Sequence, residues 1–181
     1  MKFNSTPIQG AFVLELDRHG DDRGFFARAF CKKELAEYGV EFDVAQINLS
    51  NTNAAGTLRG FHYQVPPSKE AKFFRCIKGS IYDAIVDVRP DSPTFGKCFG
   101  AVLSAANHHA MIIPANCAHA YLTLEDDTTA YYAVSDFYNS TLERGLRYND
   151  PIVKIDWPTP PMHLSDKDKA WPDFNSEEQG S

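Results

Sequence analysis

The strongest constraint on this chain is its punctuation. Short runs of alternating apolar and polar residues are each broken by a turn signal before they reach helical length. The clearest run is 81–88, where Tyr82, Ala84, Val86 and Val88 share one face and Asp83 and Asp87 take the other. Residues 25–30, 73–77, 99–103 and 110–113 are further strands by the same pattern. Residues 121–124 and 130–134 flank Glu125, Asp126, Asp127 and Thr128, which reads as a hairpin turn. Eleven prolines and eleven glycines supply the breaks. One charged segment, 32–38, favours helix, and Gly39 can end it. Many short strands at regular spacing point to an all-β sandwich, jelly roll or barrel. The Pro-rich stretch 149–158 is expected to wrap that barrel before a closing segment at 164–168.

A length of 181 residues with 43% hydrophobic content suits a single domain spanning 1–181. Its polar tail, about 175–181, is expected to be disordered. The net charge of −6 argues against a nucleic-acid partner held by bulk attraction to phosphates, although it allows a local basic pocket. No apolar run approaches a membrane span, and the N-terminus has no apolar signal region. Cys31, Cys76, Cys98 and Cys117 form no CxxC pair. Free thiols in a reducing cytoplasm are the simplest reading.

A small β-barrel with scattered histidines invites comparison with metal-binding cupins, which carry HxH, a following Glu and a second His. Here the first block is His62-Tyr63-Gln64, so an amide stands in place of the second imidazole. Lys72 stands where the Glu belongs, seven residues before Gly79, and only His119 of the second block is kept. A donor-only ammonium makes a poor divalent-metal ligand, so neither a metal nor a cofactor is expected. His108 and His109 would point to opposite faces of a strand and chelate weakly. Without a metal, the same residues suit acid–base work. Histidine titrates near neutrality, a lysine can stabilise an enolate, and a tyrosine can return a proton. Arginines beside glycines at Arg23 and Arg59 could clamp phosphates.

Ordered blocks run through nearly the whole chain. They include Asp22-Arg23-Gly24-Phe25-Phe26, Gln46-Ile47-Asn48, Leu58-Arg59-Gly60-Phe61-His62-Tyr63-Gln64, Val86-Asp87-Val88-Arg89, Ala118-His119-Ala120 and Leu164-Ser165-Asp166-Lys167-Asp168. On these blocks, from about residue 10 to residue 171, the chain resembles the dTDP-4-dehydrorhamnose 3,5-epimerase family, the RmlC-like sugar-nucleotide epimerases. The resemblance implies a double-stranded β-helix, the RmlC-like cupin jelly roll, with a few short helices. It implies a homodimer without metal that works on a sugar-nucleotide substrate in deoxysugar and polysaccharide biosynthesis. It implies that His62 removes the proton α to a C4 ketone, with Asp168 as its dyad partner. Tyr132 returns a proton from the opposite face, and Lys72 stabilises the enolate. Arg23 and Arg59 match diphosphate-binding positions. Gln46 and Asn48 match positions lining the nucleotide and sugar pocket, and His119, Glu143 and Lys167 match further substrate contacts.

Three residues depart from the family pattern. Arg28 replaces a substrate-contacting Glu, Ala120 replaces a glycine beside His119, and Phe137 replaces a tyrosine near the base-stacking region. Four readings stay open. They are inversion at C3, C5 or both; a mono-epimerase or keto-isomerase on another nucleotide sugar, such as a CDP-linked one; a non-catalytic sugar-nucleotide binding partner; and a metal-dependent cupin.

Overall fold

The computed structural model describes residues 1–175, so most of the tail expected to be disordered lies outside the described residues. The chain forms β1 (Lys2–Ser5), β2 (Phe12–Glu15), β3 (Arg18–Asp21), β4 (Gly24–Ala27), α1 (Lys32–Glu37), β5 (Gln46–Thr52), β6 (Leu58–Gln64) and β7 (Lys72–Lys78). It continues with β8 (Ser80–Asp87), β9 (Cys98–Ser104), β10 (Ala110–Ile113), β11 (Cys117–Thr123), β12 (Thr128–Val134), β13 (Glu143–Gly145) and α2 (Asp166–Ala170). A six-stranded sheet runs β1-β2-β10-β7-β12-β5, and a five-stranded sheet runs β13-β6-β11-β8-β9. The strands β3 and β4 form a separate two-stranded hairpin. The fold is all-β, as the punctuation leads one to expect, and it is the jelly roll that the family resemblance implies.

Strand periodicity sorts the apolar residues into three layers. Phe74, Ile81, Ile85, Met111 and Tyr121 pack between the two large sheets. Leu35 of α1 and Phe42 cover the outer face of the six-stranded sheet, over Phe73, Ile112 and Ala133. The Pro-rich stretch does wrap the barrel. Val153, Trp157 and Phe174 cover the outer face of the five-stranded sheet, over Phe61, Ala84 and Val86. The strand β8 is therefore buried on both faces. Asp83 and Asp87 point inward alongside Ile81 and Ile85 rather than into solvent, and both are fully buried. The helix α1 ends as expected, with Gly39 at φ +74°.

The segment 125–128 is not a hairpin turn. The strand β11 pairs with β6 and β8, whereas β12 pairs with β5 and β7 in the other sheet. This connection is a corner between the sheets. Its backbone bonds to the neighbouring 53–55 segment instead of across a ladder: Asp127 N–H donates to Asn53, and Ala55 N–H donates to the Asp126 carboxylate.

Two local devices fix the backbone of the five-stranded sheet. The first is an irregularity in β6. His62 lies opposite His119, but Arg59 lies opposite Tyr121, so three steps on β6 match two on β11. This β-bulge cancels the alternation of side chains and turns Arg59 and His62 to the same face. Gly60 sits in it at φ +116°, and a Cβ there would lie 2.5 Å from the His119 carbonyl oxygen and 2.7 Å from the Ala120 Cα. The second device is the Asp87 knot. Its carboxylate accepts from Arg89 Nε (2.8 Å) and Nη2 (2.7 Å), and from the hydroxyls of Ser92 and Thr94 (both 2.5 Å). Burial pushes this carboxyl up, but those donors outweigh it and hold it at about 2.

Two outcomes follow for stability. Gly60→Ala should destabilise the fold by about 3 kcal/mol or more in denaturant titration, because the residue is strained and meets backbone. A stable variant would remove the bulge as a constraint. Asp87 has a depressed pKa, so its contribution is present above the ordinary value of 3.8 and is lost as pH falls toward about 2. Asp87→Asn should lower stability at pH 7 and flatten the acid limb of a melting-temperature profile over that window. An acid limb as steep as in the unsubstituted protein would sink this assignment.

Candidate active site

A cavity of about 750 Å³ opens between the two large sheets. The five-stranded sheet contributes Arg59, His62 and Gln64 from β6, His119 and Tyr121 from β11, and Glu143 from β13. The six-stranded sheet contributes Gln46, Asn48 and Ser50 from β5, Lys72 and Phe74 from β7, and Tyr132 from β12. The closing segment adds Ser165, Lys167 and Asp168.

His62 Nε2 lies 2.6 Å from Asp168 Oδ1. The His62 side chain keeps 34% of its surface exposed to the cavity, while that of Asp168 keeps 5%. Asp168 is held by the N-terminus of α2, where the Ser165 hydroxyl accepts from the Asp168 N–H at 3.1 Å. Burial pushes the Asp168 carboxyl up. The His62 bond, the His62 charge, Ser165 and a hydrogen bond from the Gly60 backbone outweigh that and hold it below its ordinary value. An ionised carboxylate on Nε2 keeps the proton there and leaves Nδ1 with its lone pair free to accept another.

The opposite wall carries Tyr132, whose ring stacks on Phe74 with centroids 4.9 Å apart. Burial, the neighbouring Tyr121 and the Glu70 charge raise its phenol above the ordinary value, against a lowering by Arg59, so it stays protonated near neutrality. Lys72 bonds to the Glu70 carboxylate. Glu70 Oε2 also accepts from Gln64 Nε2 at 2.7 Å.

Deeper in the cavity, His119 Nε2 lies 2.7 Å from Asp83 Oδ1. Asp83 Oδ2 has no hydrogen-bond partner among the described residues. Burial dominates here and pushes the Asp83 carboxyl up, despite His119 and Lys72. At the mouth, Lys167 Nζ lies 2.7 Å from both oxygens of Glu143, and the Tyr138 hydroxyl donates to Glu143 at 2.9 Å. Tyr138 N–H donates to Gln46 Oε1 at 3.0 Å, tying the 136–139 loop to β5. The cavity thus holds two imidazole–carboxylate pairs and two ammonium–carboxylate pairs. That set can remove and return protons and can stabilise a developing oxyanion.

Ten of the twelve residues singled out from sequence line this one cavity: His62, Lys72, Tyr132, Asp168, Gln46, Asn48, Arg59, His119, Glu143 and Lys167. The other two do not. Arg23 sits on the exposed β3–β4 hairpin and pairs with Asp21, and Arg28 lies 3.5 Å from Glu34 beside α1. Phe137, marked as standing at the base-stacking region, is 68% exposed and off this cavity, whereas its neighbour Tyr138 lines it. Sequence reading missed Glu70, Asp83 and Tyr138. The inward face of β8 was a signal for Asp83, since an Asp flanked by Ile81 and Ile85 on a buried face needs a partner. No local signal marked Glu70. Among the described residues, no three His, Cys, Asp or Glu side chains gather as a metal site would require. The Gln64 amide and the Lys72 ammonium, which stand at the metal-ligand positions of cupins, both bond to Glu70.

A family model described as dTDP-4-dehydrorhamnose 3,5-epimerase matches residues 5–176. A dTDP-4-dehydrorhamnose 3,5-epimerase of Shigella flexneri is 38% identical over 169 residues, covering 93% of each chain. The structure of the dTDP-4-dehydrorhamnose 3,5-epimerase of Bacillus anthracis with TDP and PPi bound is 40% identical. It superposes with a TM-score of 0.91 over 96% of this chain and 99% of its own. A 3'-monoepimerase from Streptomyces bikiniensis, in complex with dTDP-quinovose, is 34% identical, with a TM-score of 0.86 over 94% and 86%.

The His62–Asp168 pair depends on where α2 sits, and the Trp171 ring, at the C-terminal end of α2, packs on Gly145. A Cβ on Gly145 would lie 2.3 Å from the Trp171 ring and 2.6 Å from the Phe61 carbonyl. Gly145→Ala should therefore cost about 1–3 kcal/mol and displace α2. The low-field NMR signal of the His62 imidazole proton bonded to Asp168 should disappear. A variant that kept that signal would separate the dyad from the Trp171 contact.

Proposed function

This chain belongs to the dTDP-4-dehydrorhamnose 3,5-epimerase family, and from that premise we propose that its cavity binds a nucleotide-linked 4-keto-6-deoxy sugar and works on it with His62 and Tyr132. The protein is an isomerase of deoxysugar biosynthesis that inverts C3, C5 or both. A proton on a carbon beside the C4 ketone is acidic because its electron pair can delocalise onto O4. His62 Nδ1 accepts that proton, and the ionised Asp168 stabilises the resulting imidazolium. The C–H electrons form an enolate, whose oxygen the Lys72 ammonium stabilises. The Tyr132 hydroxyl then gives a proton to the carbon from the other side, the C4 ketone reforms, and solvent resets both groups.

One observation supports this reading: His62 and Tyr132 belong to different sheets and both line the cavity between them. A single group would return the proton to the face it came from. Inversion needs two. A non-catalytic binding protein has no use for that opposition.

We also assign a homodimer. Ile47, Leu49 and Tyr131 are exposed on the outward face of β5 and β12, with Leu49 directly opposite Tyr131. β5 is also an edge strand of its sheet. The hairpin β3–β4 exposes Phe25 at 48% and Phe26 at 70%. If Arg23 serves the diphosphate, as the family pattern implies, the hairpin of one copy must reach the cavity of the other. Arg28 rides beside the same arm, so its reversed charge also acts across that interface. The four free cysteines support a reducing, cytoplasmic location.

Incubation with dTDP-4-keto-6-deoxyglucose in D₂O tests the chemistry. Wild type should place deuterium at C3, C5 or both, as read by NMR. His62→Ala should slow exchange by roughly 10²–10⁴-fold, the usual worth of a positioned base. Tyr132→Phe should keep exchange on one face while losing inversion. Unimpaired exchange in His62→Ala would remove the base, and a wild type silent on every 4-keto sugar nucleotide would end the epimerase reading.

A further inference from the structure

The mechanism above uses Lys72 but leaves the carboxylate beside it without a task. We propose that Glu70 is a positioning residue that aims the Lys72 ammonium, as the terminus of a relay running from the cavity-mouth loop across both sheets. This rests on the role given to Lys72 under the epimerase reading.

Lys72 is the first residue of β7, and its ammonium ends a flexible four-carbon stem. Such a side chain loses about 2 kcal/mol of rotamer freedom when it is fixed, so something must hold it. Glu70 Oε1 accepts from that ammonium. The two side chains keep only 12% and 9% of their surface, so bulk water does not compete for either. Glu70 Oε2 accepts from Gln64 Nε2 at 2.7 Å. Gln64 lies at the end of β6, in the other sheet, and its remaining capacity is committed to the loop. It donates to the Phe137 carbonyl at 3.3 Å, and its Oε1 accepts from the Asn139 N–H at 2.7 Å. Tyr138, which lines the cavity mouth, sits between those two anchors.

The chemistry of the link requires a carboxylate. Glu70 faces two donors, one on each oxygen, and only a carboxylate accepts on both. An isolated ion pair at the surface would contribute little. This one joins the proposed oxyanion stabiliser to the loop at the cavity mouth. Two rival roles make different predictions. A Glu70 that bound substrate directly would govern KM. A Glu70 that merely damped the Lys72 charge would slow the enzyme, and its removal would speed turnover.

Glu70→Ala should lower kcat by roughly 10–100-fold, the scale of a misplaced catalytic group, with KM within about threefold of wild type. Glu70→Asp should recover part of the loss. The double variant Glu70→Ala with Lys72→Ala should be no slower than Lys72→Ala alone, since the two act as one unit. Wild-type or raised kcat in Glu70→Ala, additive losses, or a tenfold rise in KM with kcat unchanged would each overturn the proposal. A second readout needs no turnover. The ¹⁵N-labelled Lys72 ammonium should give a slowly exchanging NMR signal in wild type that is lost in a Glu70→Ala variant still melting cooperatively. A wild type without that signal would also overturn the proposal. Because this readout uses no substrate, failure of the epimerase reading would appear separately, as wild-type inactivity.

Discussion

The site depends on one close contact between backbones, where Gly60 of β6 lies against His119 and Ala120 of β11. An ordinary antiparallel pair would place residues three apart on opposite faces. The extra residue at this contact brings Arg59 round to the face that His62 uses, opposite Tyr121 and His119 respectively. Arg59, His62, His119 and Tyr121 therefore converge on one cavity although they come from only two strands. The same stretch of backbone also helps keep the Asp168 carboxyl low. Ala120, where the family favours glycine, fits this geometry because its side chain packs with Phe61 and Ala84 beneath the Pro-rich wrap, away from the cavity.

Charge in the cavity is paired before any substrate arrives. Lys72 is matched by Glu70, Lys167 by Glu143, His62 by Asp168 and His119 by Asp83. Pairing lets ammonium and imidazole groups sit inside the cavity, each beside a carboxylate. It also fixes the direction of each donor, and preorganised donors stabilise charge that develops in a transition state better than mobile ones do. Arg59 is arranged differently. It is exposed, and its Nε makes one long bond, 3.4 Å, to Thr52. An exposed guanidinium at the cavity rim can turn its fork toward a diphosphate at little cost.

Much of this was legible in the sequence, because strand alternation and turn residues report local burial directly. The strand 110–113 and the helix ended by Gly39 match the structure closely. Ten of the twelve residues expected at the site line one cavity, and the family pattern marks them because it preserves their order. Partnership across sheets was harder to read. The 125–128 turn has every local mark of a hairpin, yet the strands it joins belong to different sheets, and nothing local distinguishes a corner from a ladder turn. Glu70 looks like a surface charge beside Lys69, and its partner Gln64 comes from β6, which local sequence does not indicate. Tyr138 was passed over for Phe137 because the loop is irregular, so no periodicity says which of two adjacent rings faces inward. Arg23 and Arg28 lie off the cavity, beside Asp21 and Glu34, because order along a sequence does not fix position in space.

The two imidazole–carboxylate pairs show why composition alone could not select the base. His62 with Asp168 and His119 with Asp83 have the same atoms at nearly the same distance, 2.6 and 2.7 Å. Their environments push the carboxyls apart. Asp168 accepts from Ser165 and Gly60 as well as from His62 and is held low, whereas Asp83 is fully enclosed, has one oxygen without a partner among the described residues, and is pushed up. A carboxylate that stays ionised can stabilise an imidazolium. One whose charged form is disfavoured does so less well. Exposure divides the pairs the same way, since the His62 side chain keeps 34% of its surface and that of His119 only 7%. Of the two pairs, His62 with Asp168 therefore has the surroundings that the proposed proton abstraction calls for, and His119 with Asp83 does not. The hydrogen bonds that Asp168 receives from Ser165 and the Gly60 backbone, which Asp83 lacks, set the two pairs apart.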